Sequence, residues 1–221
     1  PLSAAVKGVS EALADRAERN VALVYPGSAL RDVLVYGLAT LHKLGLGGWD
    51  LDAARERVTL TMPAVGTALA GLVASLPVVG GMLAAVAEQQ AQTTIYLSPA
   101  ACADPVTLLD VVAHELGHAD QIAVGGLPWC FAYAVVPEVR AGAEAPCYTQ
   151  DIAVEHACRG GDPKALCDGA FDRLKSYGLD DASLALARGV LDVARRTLEH
   201  GGELGGPSHD VLEALRVRGV L

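Results

Sequence analysis

Apolar and polar positions alternate with a helical period between residues 104 and 126. Val106, Leu109, Val112, Ala113, Leu116 and Ala119 recur at three- and four-residue spacing and predict one core-facing stripe. Asp110, His114, Glu115, His118 and Gln121 fall on the other side. Asp104-Pro105 marks the start: an acidic N-cap, then a proline whose fixed φ suits the first helical position. Gly125-Gly126 marks the stop. Just upstream, Thr93-Thr94-Ile95-Tyr96-Leu97-Ser98 is rich in β-branched and aromatic residues and closes at Pro99, which predicts a strand running into the helix.

The remaining elements follow from the same patterning. Residues 2–19 have helical periodicity, and Pro26-Gly27-Ser28 opens a second helix that closes at residues 45–48. Arg57-Val58-Thr59-Leu60-Thr61-Met62 alternates and predicts a strand. Beyond a loop at 125–128 lies an apolar run, Trp129 to Val136, and Pro137 then opens a helix over Glu138 to Cys158. Three more helices are predicted: one from Asp162-Pro163 to near Gly178, one from Asp180 to Glu199, and one from Pro207-Ser208 to Arg218. The pattern predicts an α+β fold, predominantly helical with a small β-sheet next to the 104–126 helix. With no repeat or low-complexity linker, a single domain over 1–221 is expected: N-terminal helices in 1–50, sheet and central helix in 51–125, further helices in 126–221.

Residues 63–87 carry no charge, with Gly66, Gly71, Pro77, Gly80 and Gly81 spread through an Ala/Val/Leu background. The length could span a bilayer, but Pro77 and Gly80-Gly81 divide it into two pieces too short to span alone. A buried helical hairpin is the preferred expectation over membrane contact. A cover over a substrate cleft is a third.

Composition narrows the classes. Hydrophobic residues make up 52% and charged residues 19%, so a packed core is expected rather than disorder. A net charge of −9 leaves no basic patch to neutralise phosphates and excludes nucleic acid as the natural partner. Five cysteines without C-x-x-C spacing disfavour a cysteine-rich structural zinc site. Cys158 and Cys167 flank the turn-rich Arg159-Gly160-Gly161-Asp162-Pro163; a bridge there would imply an oxidising compartment, and free thiols would fit a reducing one. The compartment stays open on this basis. A chain starting at Pro1 reads as processed or excised, and no secretory signal is visible in it.

The chemistry concentrates in His114-Glu115-Leu116-Gly117-His118, an H-E-x-x-H pattern. Residues at i and i+4 share a helix face, so both imidazoles can reach one ion, and the intervening carboxylate can hold a water beside it. Gly117, costly inside a helix, predicts a close backbone approach at that point. A catalytic zinc site needs a third protein ligand and an open fourth position.

A strand leading into a helix with this motif resembles the zincin metallopeptidases, and the likeness covers about 55 residues, Thr93 to Cys147. In that superfamily the strand is an edge strand that binds extended substrate. The metzincin branch is ruled out: Gln121 stands where its glycine would be, and no histidine follows until His156. The gluzincin branch implies a downstream glutamate as third ligand. Glu144 is favoured for its placement, with Cys147, Tyr148 and Asp151 on its face, although Pro146 predicts a helix start or kink beside it. Glu138, at a predicted helix start, is the alternative. Gluzincins carry an acid four residues after the ligand glutamate; here those positions hold Tyr148 or Gly142, so Asp151 or Asp110 is expected to bond a zinc-ligating histidine.

The resemblance therefore implies one Zn²⁺ on His114, His118 and Glu144, a peptide or protein substrate, and Glu115 as general base toward an activated water. Tyr148 is the first candidate for steadying the oxyanion, with Tyr133 and His156 behind it. The competing expectation is a zincin-like module without proteolytic activity, serving binding, effector or virion- or toxin-associated roles. Oligomeric state and substrate are not specified by these residues.

Overall fold

The computed structural model describes residues 8, 10, 21–27, 59–62, 93–219 and 221. The chain groups into two compact units, residues 14–99 and residues 1–13 with 100–221, where the sequence suggests a single domain. The expectations for residues 2–19, the second helix and 63–87 fall outside the described residues, Gly8, Ser10 and the 21–27 segment excepted.

The first unit contributes a three-stranded sheet of β1 (Val21–Val24), β2 (Leu60–Met62) and β3 (Thr93–Tyr96), in the order β1-β3-β2. β3 runs parallel to β1, pairing Val21 with Thr93 through Val24 with Tyr96, and antiparallel to β2, pairing Leu60 with Tyr96 and Met62 with Thr94. The Leu97 N–H extends the β1 ladder by donating to the Val24 carbonyl at 2.8 Å. All four β3 residues are buried. The zincin likeness implies an open edge strand at this position. β3 is instead the central strand, with its hydrogen-bonding groups committed on both sides.

The second unit is helical: α1 (Pro105–Val135), α2 (Pro137–Arg159), α3 (Pro163–Leu174), α4 (Asp181–Glu199) and α5 (Pro207–Val217). Side-chain caps fix three of the starts. Asp104 accepts from the Val106 and Thr107 N–H groups, Asp162 from Ala165, and Asp180 from Ser183. α5 has no side-chain cap of its own; buried Gln150 of α2 supplies one, accepting the Ser208 N–H at 2.9 Å. α1 breaks where the sequence predicts, at Gly126 (φ 59°), but the loop expected at 125–128 is absent: helix resumes through Pro128 to Val135. A proline is tolerated in the first turn of a resumed helix, where its missing N–H has no partner to lose.

α2 organises this unit by using two faces. Ala141, Ala145, Tyr148 and Ile152 recur at helical spacing and pack with Cys167, Ala170 and Leu174 of α3 and Ala187, Leu191 and Leu198 of α4. Its other face carries Glu144, Cys147 and Asp151 against α1. The kink or helix start expected at Pro146 does not occur, and α2 runs through it. The carbonyl deprived of a donor belongs to Gly142, which is solvent-exposed, so water can satisfy it. Glu144 therefore sits on a continuous helix. Trapping Cys167 in this core also settles the bridge: its Sγ donates to the Leu191 carbonyl, and none of the five cysteines, Cys158 included, forms a disulfide. Among the described residues no helix is long and apolar enough to cross a membrane.

Candidate metal centre

His114, Glu115 and His118 project from the middle of α1, where Leu108, Leu109, Val112, Ala113 and Leu116 bury the opposite face. The closeness of α2 depends on Gly117. A Cβ built there would lie 2.8 Å from Cys147 Sγ, closer than atoms of that kind can sit, so glycine at this position leaves room for the Cys147 side chain of the neighbouring helix.

The two histidines turn the same ring nitrogen toward α2. His114 Nε2 lies 3.6 Å from Glu144 Oε2, and His118 Nε2 lies 3.4 Å from Glu144 Oε1. Donors bound to one zinc at 2.0–2.2 Å in a tetrahedral shell are about 3.3–3.6 Å apart, so these spacings match an ion's coordination edges. Glu144 is 2% exposed, and its Oε2 has no hydrogen-bond partner. A buried carboxylate oxygen whose nearest donor, His114 Nε2, stands beyond hydrogen-bond distance is a costly arrangement that a cation would complete. Glu138, the other candidate ligand, lies exposed in the first turn of α2, where an acid suits the helix dipole, and the structure does not bring it to the histidines.

The outer nitrogens are held as well. His114 Nδ1 is 3.1 and 3.2 Å from the two oxygens of Asp151. His118 Nδ1 is 3.0 Å from Gln121 Oε1, and the Gln121 amide donates to the Ala143 carbonyl at 2.9 Å. With Nδ1 donating to Asp151 and to Gln121, each ring leaves Nε2 to face Glu144, as an N–H in the metal-free cluster and as a lone pair toward a bound ion. Of the two acids expected behind His114, the geometry selects Asp151. Asp110 keeps a buried Oδ1 without a hydrogen-bond partner, and burial, reinforced by the Asp151 charge, pushes its carboxyl up to about 8. Gln121 was legible only as a departure from the metzincin pattern; its bond to His118 needs the fold to be seen.

The titration of the cluster reports its appetite for positive charge. Burial alone would lower both histidines, yet Asp151 and Glu144 raise His114, and Cys147 and Glu144 raise His118, well above the ordinary imidazole range. Burial would raise Glu144, but its two histidine partners hold it well below the usual carboxylate range. In effect protons occupy the place of a cation.

A second donor set overlaps the first. One donor atom each from His114, His118 and Cys147 lie within 4.8 Å of one another, and this buried group could hold a metal ion. Cys147 Sγ sits 3.5 Å from His118 Nδ1, the opposite ring edge from the one facing Glu144. The thiol was not among the sequence-derived candidates, because no C-x-x-C or Cys-His spacing announces it.

The aromatic candidates are placed differently from one another. The Tyr148 ring packs edge-on against His114 at 4.9 Å between centroids, and its hydroxyl is 3.1 Å from that of Tyr177. The Tyr133 hydroxyl, from the resumed part of α1, donates to Glu144 Oε1. His156 bonds the Gly161 carbonyl at the end of α2 and takes no part in the cluster. Glu115 is 8% exposed and lies close enough to act electrostatically on Tyr133 and Cys147. No protein-family model, curated protein or solved structure matches the chain, so the functional reading rests on the site's own geometry.

Proposed function

We propose that the protein is a zinc-dependent peptidase in the zincin manner, with His114, His118 and Glu144 as ligands and Glu115 as general base. The observation that carries this reading is the convergence of two Nε2 atoms on one buried carboxylate at 3.4 and 3.6 Å, with Glu144 Oε2 otherwise unpartnered. The donor chemistry, two imidazoles and a carboxylate, suits zinc. Cys147 is the weaker third donor: burial raises its thiol above the ordinary value, keeping it protonated, and it addresses the wrong edge of His118.

When bound, zinc supplies Lewis acidity that acidifies a water and polarises a substrate carbonyl. The chain's residues do the rest. Asp151 and Gln121 fix the histidine tautomers and ring orientation. The Glu115 carboxylate accepts the proton of the attacking water and delivers it to the departing amine nitrogen. Tyr148, edge-on to His114, remains the proposed oxyanion donor, which requires its hydroxyl to exchange Tyr177 for substrate.

Burial supports a second reading, a metal-holding module without proteolysis. The His114 and His118 side chains are only 11% and 12% exposed, a narrow opening for a peptide. Glu115→Gln separates the two. With zinc retained in the variant, cleavage of a broad peptide mixture by the wild type and its loss in the variant supports the peptidase. Zinc-loaded wild type that cleaves nothing across the mixture supports the module.

A further inference from the structure

We infer that Tyr133 is a positioning residue that restricts Glu144 to single-oxygen coordination, its hydroxyl occupying Oε1 so that only Oε2 is offered to the metal. This rests on the ligand set proposed above. The two carboxylate oxygens differ in one respect: Oε1, 3.4 Å from His118 Nε2, accepts the Tyr133 hydroxyl, while Oε2, 3.6 Å from His114 Nε2, is buried without a hydrogen-bond partner. Both oxygens point at the histidines, so nothing in the carboxylate itself prevents it from chelating the ion with both.

Tyr133 is built to stay where it is. Its ring lies against Trp129, 5.5 Å between centroids, and edge-on to His118 at 6.1 Å. Its backbone is clamped by Arg140 of α2, whose Nε donates to the Tyr133 carbonyl at 3.1 Å and whose Nη2 donates to the Ala134 carbonyl at 2.6 Å. The same guanidinium reaches the Tyr177 carbonyl at 2.7 Å through Nη1. The consequence concerns the open position. A glutamate binding through both oxygens would crowd the shell beside the position that a catalytic zinc keeps for water; occupying Oε1 relieves that crowding.

The test compares wild type with Tyr133→Phe, which keeps the ring and deletes the donor. Both are checked for fold by circular dichroism, then loaded with Co²⁺ as a spectroscopic stand-in. Wild type is expected to show the intense visible bands of a four-coordinate ion. The variant should show weaker bands as a second oxygen enters the shell. Matching spectra in a metal-binding pair overturn the inference and leave the ligand set standing. A wild type that takes up neither ion overturns the ligand set and this inference with it. X-ray absorption of zinc-loaded wild type tests the same point without the variant: a four-ligand shell with one glutamate oxygen is expected, and a chelating carboxylate contradicts it.

Discussion

Asp110 and Asp151 face the same stretch of the α1–α2 interface, and their fates differ because only Asp151 pairs with a histidine. Asp151 spends its charge on His114 Nδ1. Asp110 has a buried, unbonded oxygen, and burial together with Asp151 raises its pKa from 3.8 to about 8. Because the folded-state pKa lies above the unfolded one, the fold favours the neutral acid. That contribution is fully present below about pH 4 and is lost as pH rises through 8. At about 1.4 kcal/mol per unit the ceiling is near 6 kcal/mol, and an interior that relaxes or admits water returns a fraction, on the order of 1–3 kcal/mol. Asp110→Asn keeps the shape and removes the ionisation. In chelator-treated protein the variant should melt above wild type at pH 8 to 9, with the gap closing toward pH 4. A gap that is constant across that range would contradict the assignment.

At the scale of elements, glycine tests the helix packing. Gly117 and Gly142 are both interior to helices, where glycine costs about 1 kcal/mol relative to alanine. A Cβ at Gly142 meets nothing within 4 Å, so Gly142→Ala should stabilise by up to about 1 kcal/mol. A Cβ at Gly117 lies 2.8 Å from buried Cys147 Sγ, so Gly117→Ala should instead destabilise by about 1–3 kcal/mol, and Cys147→Ala in the same chain should restore much of it. Chemical denaturation of the three variants checks the signs. Elements whose signals are local were legible in the sequence: Asp104-Pro105, Asp162-Pro163 and Asp180 cap helices through their own backbone neighbours. β1 was missed because Val21-Ala22-Leu23-Val24 is a four-residue apolar run whose strand character comes from pairing with β3. Helix resumption after Gly126 was missed because Pro128 reads as a breaker until its place in a first turn is known. His114, Glu115 and His118 were legible because one helix sets their spacing. Glu144 was favoured over Glu138 from its place in the sequence, but the role of Gln121 and the approach of Cys147 depend on how α2 lies on α1, which no local pattern encodes.

For the whole molecule, the centre is a cross-link within one unit. In the proposed ligand set two ligands come from α1 and one from α2, so a bound ion would join two helices that pack against each other. Binding that favours the folded state adds about 2.7 kcal/mol at a free metal concentration 100 times Kd. Zinc should therefore raise the melting temperature of the protein, a chelator should reverse the rise, and Mg²⁺, which wants an oxygen shell, should do neither. Indifference of the melting temperature to zinc would contradict a pre-formed centre. The central claim is the identity of the third ligand, and zinc content after exhaustive dialysis tests it most directly, in wild type, Glu144→Ala, Glu138→Ala and Cys147→Ser. The predicted result is one zinc per chain in wild type, Glu138→Ala and Cys147→Ser, and loss of zinc in Glu144→Ala. Loss in Cys147→Ser with retention in Glu144→Ala would contradict it and assign the ion to His114, His118 and the thiol.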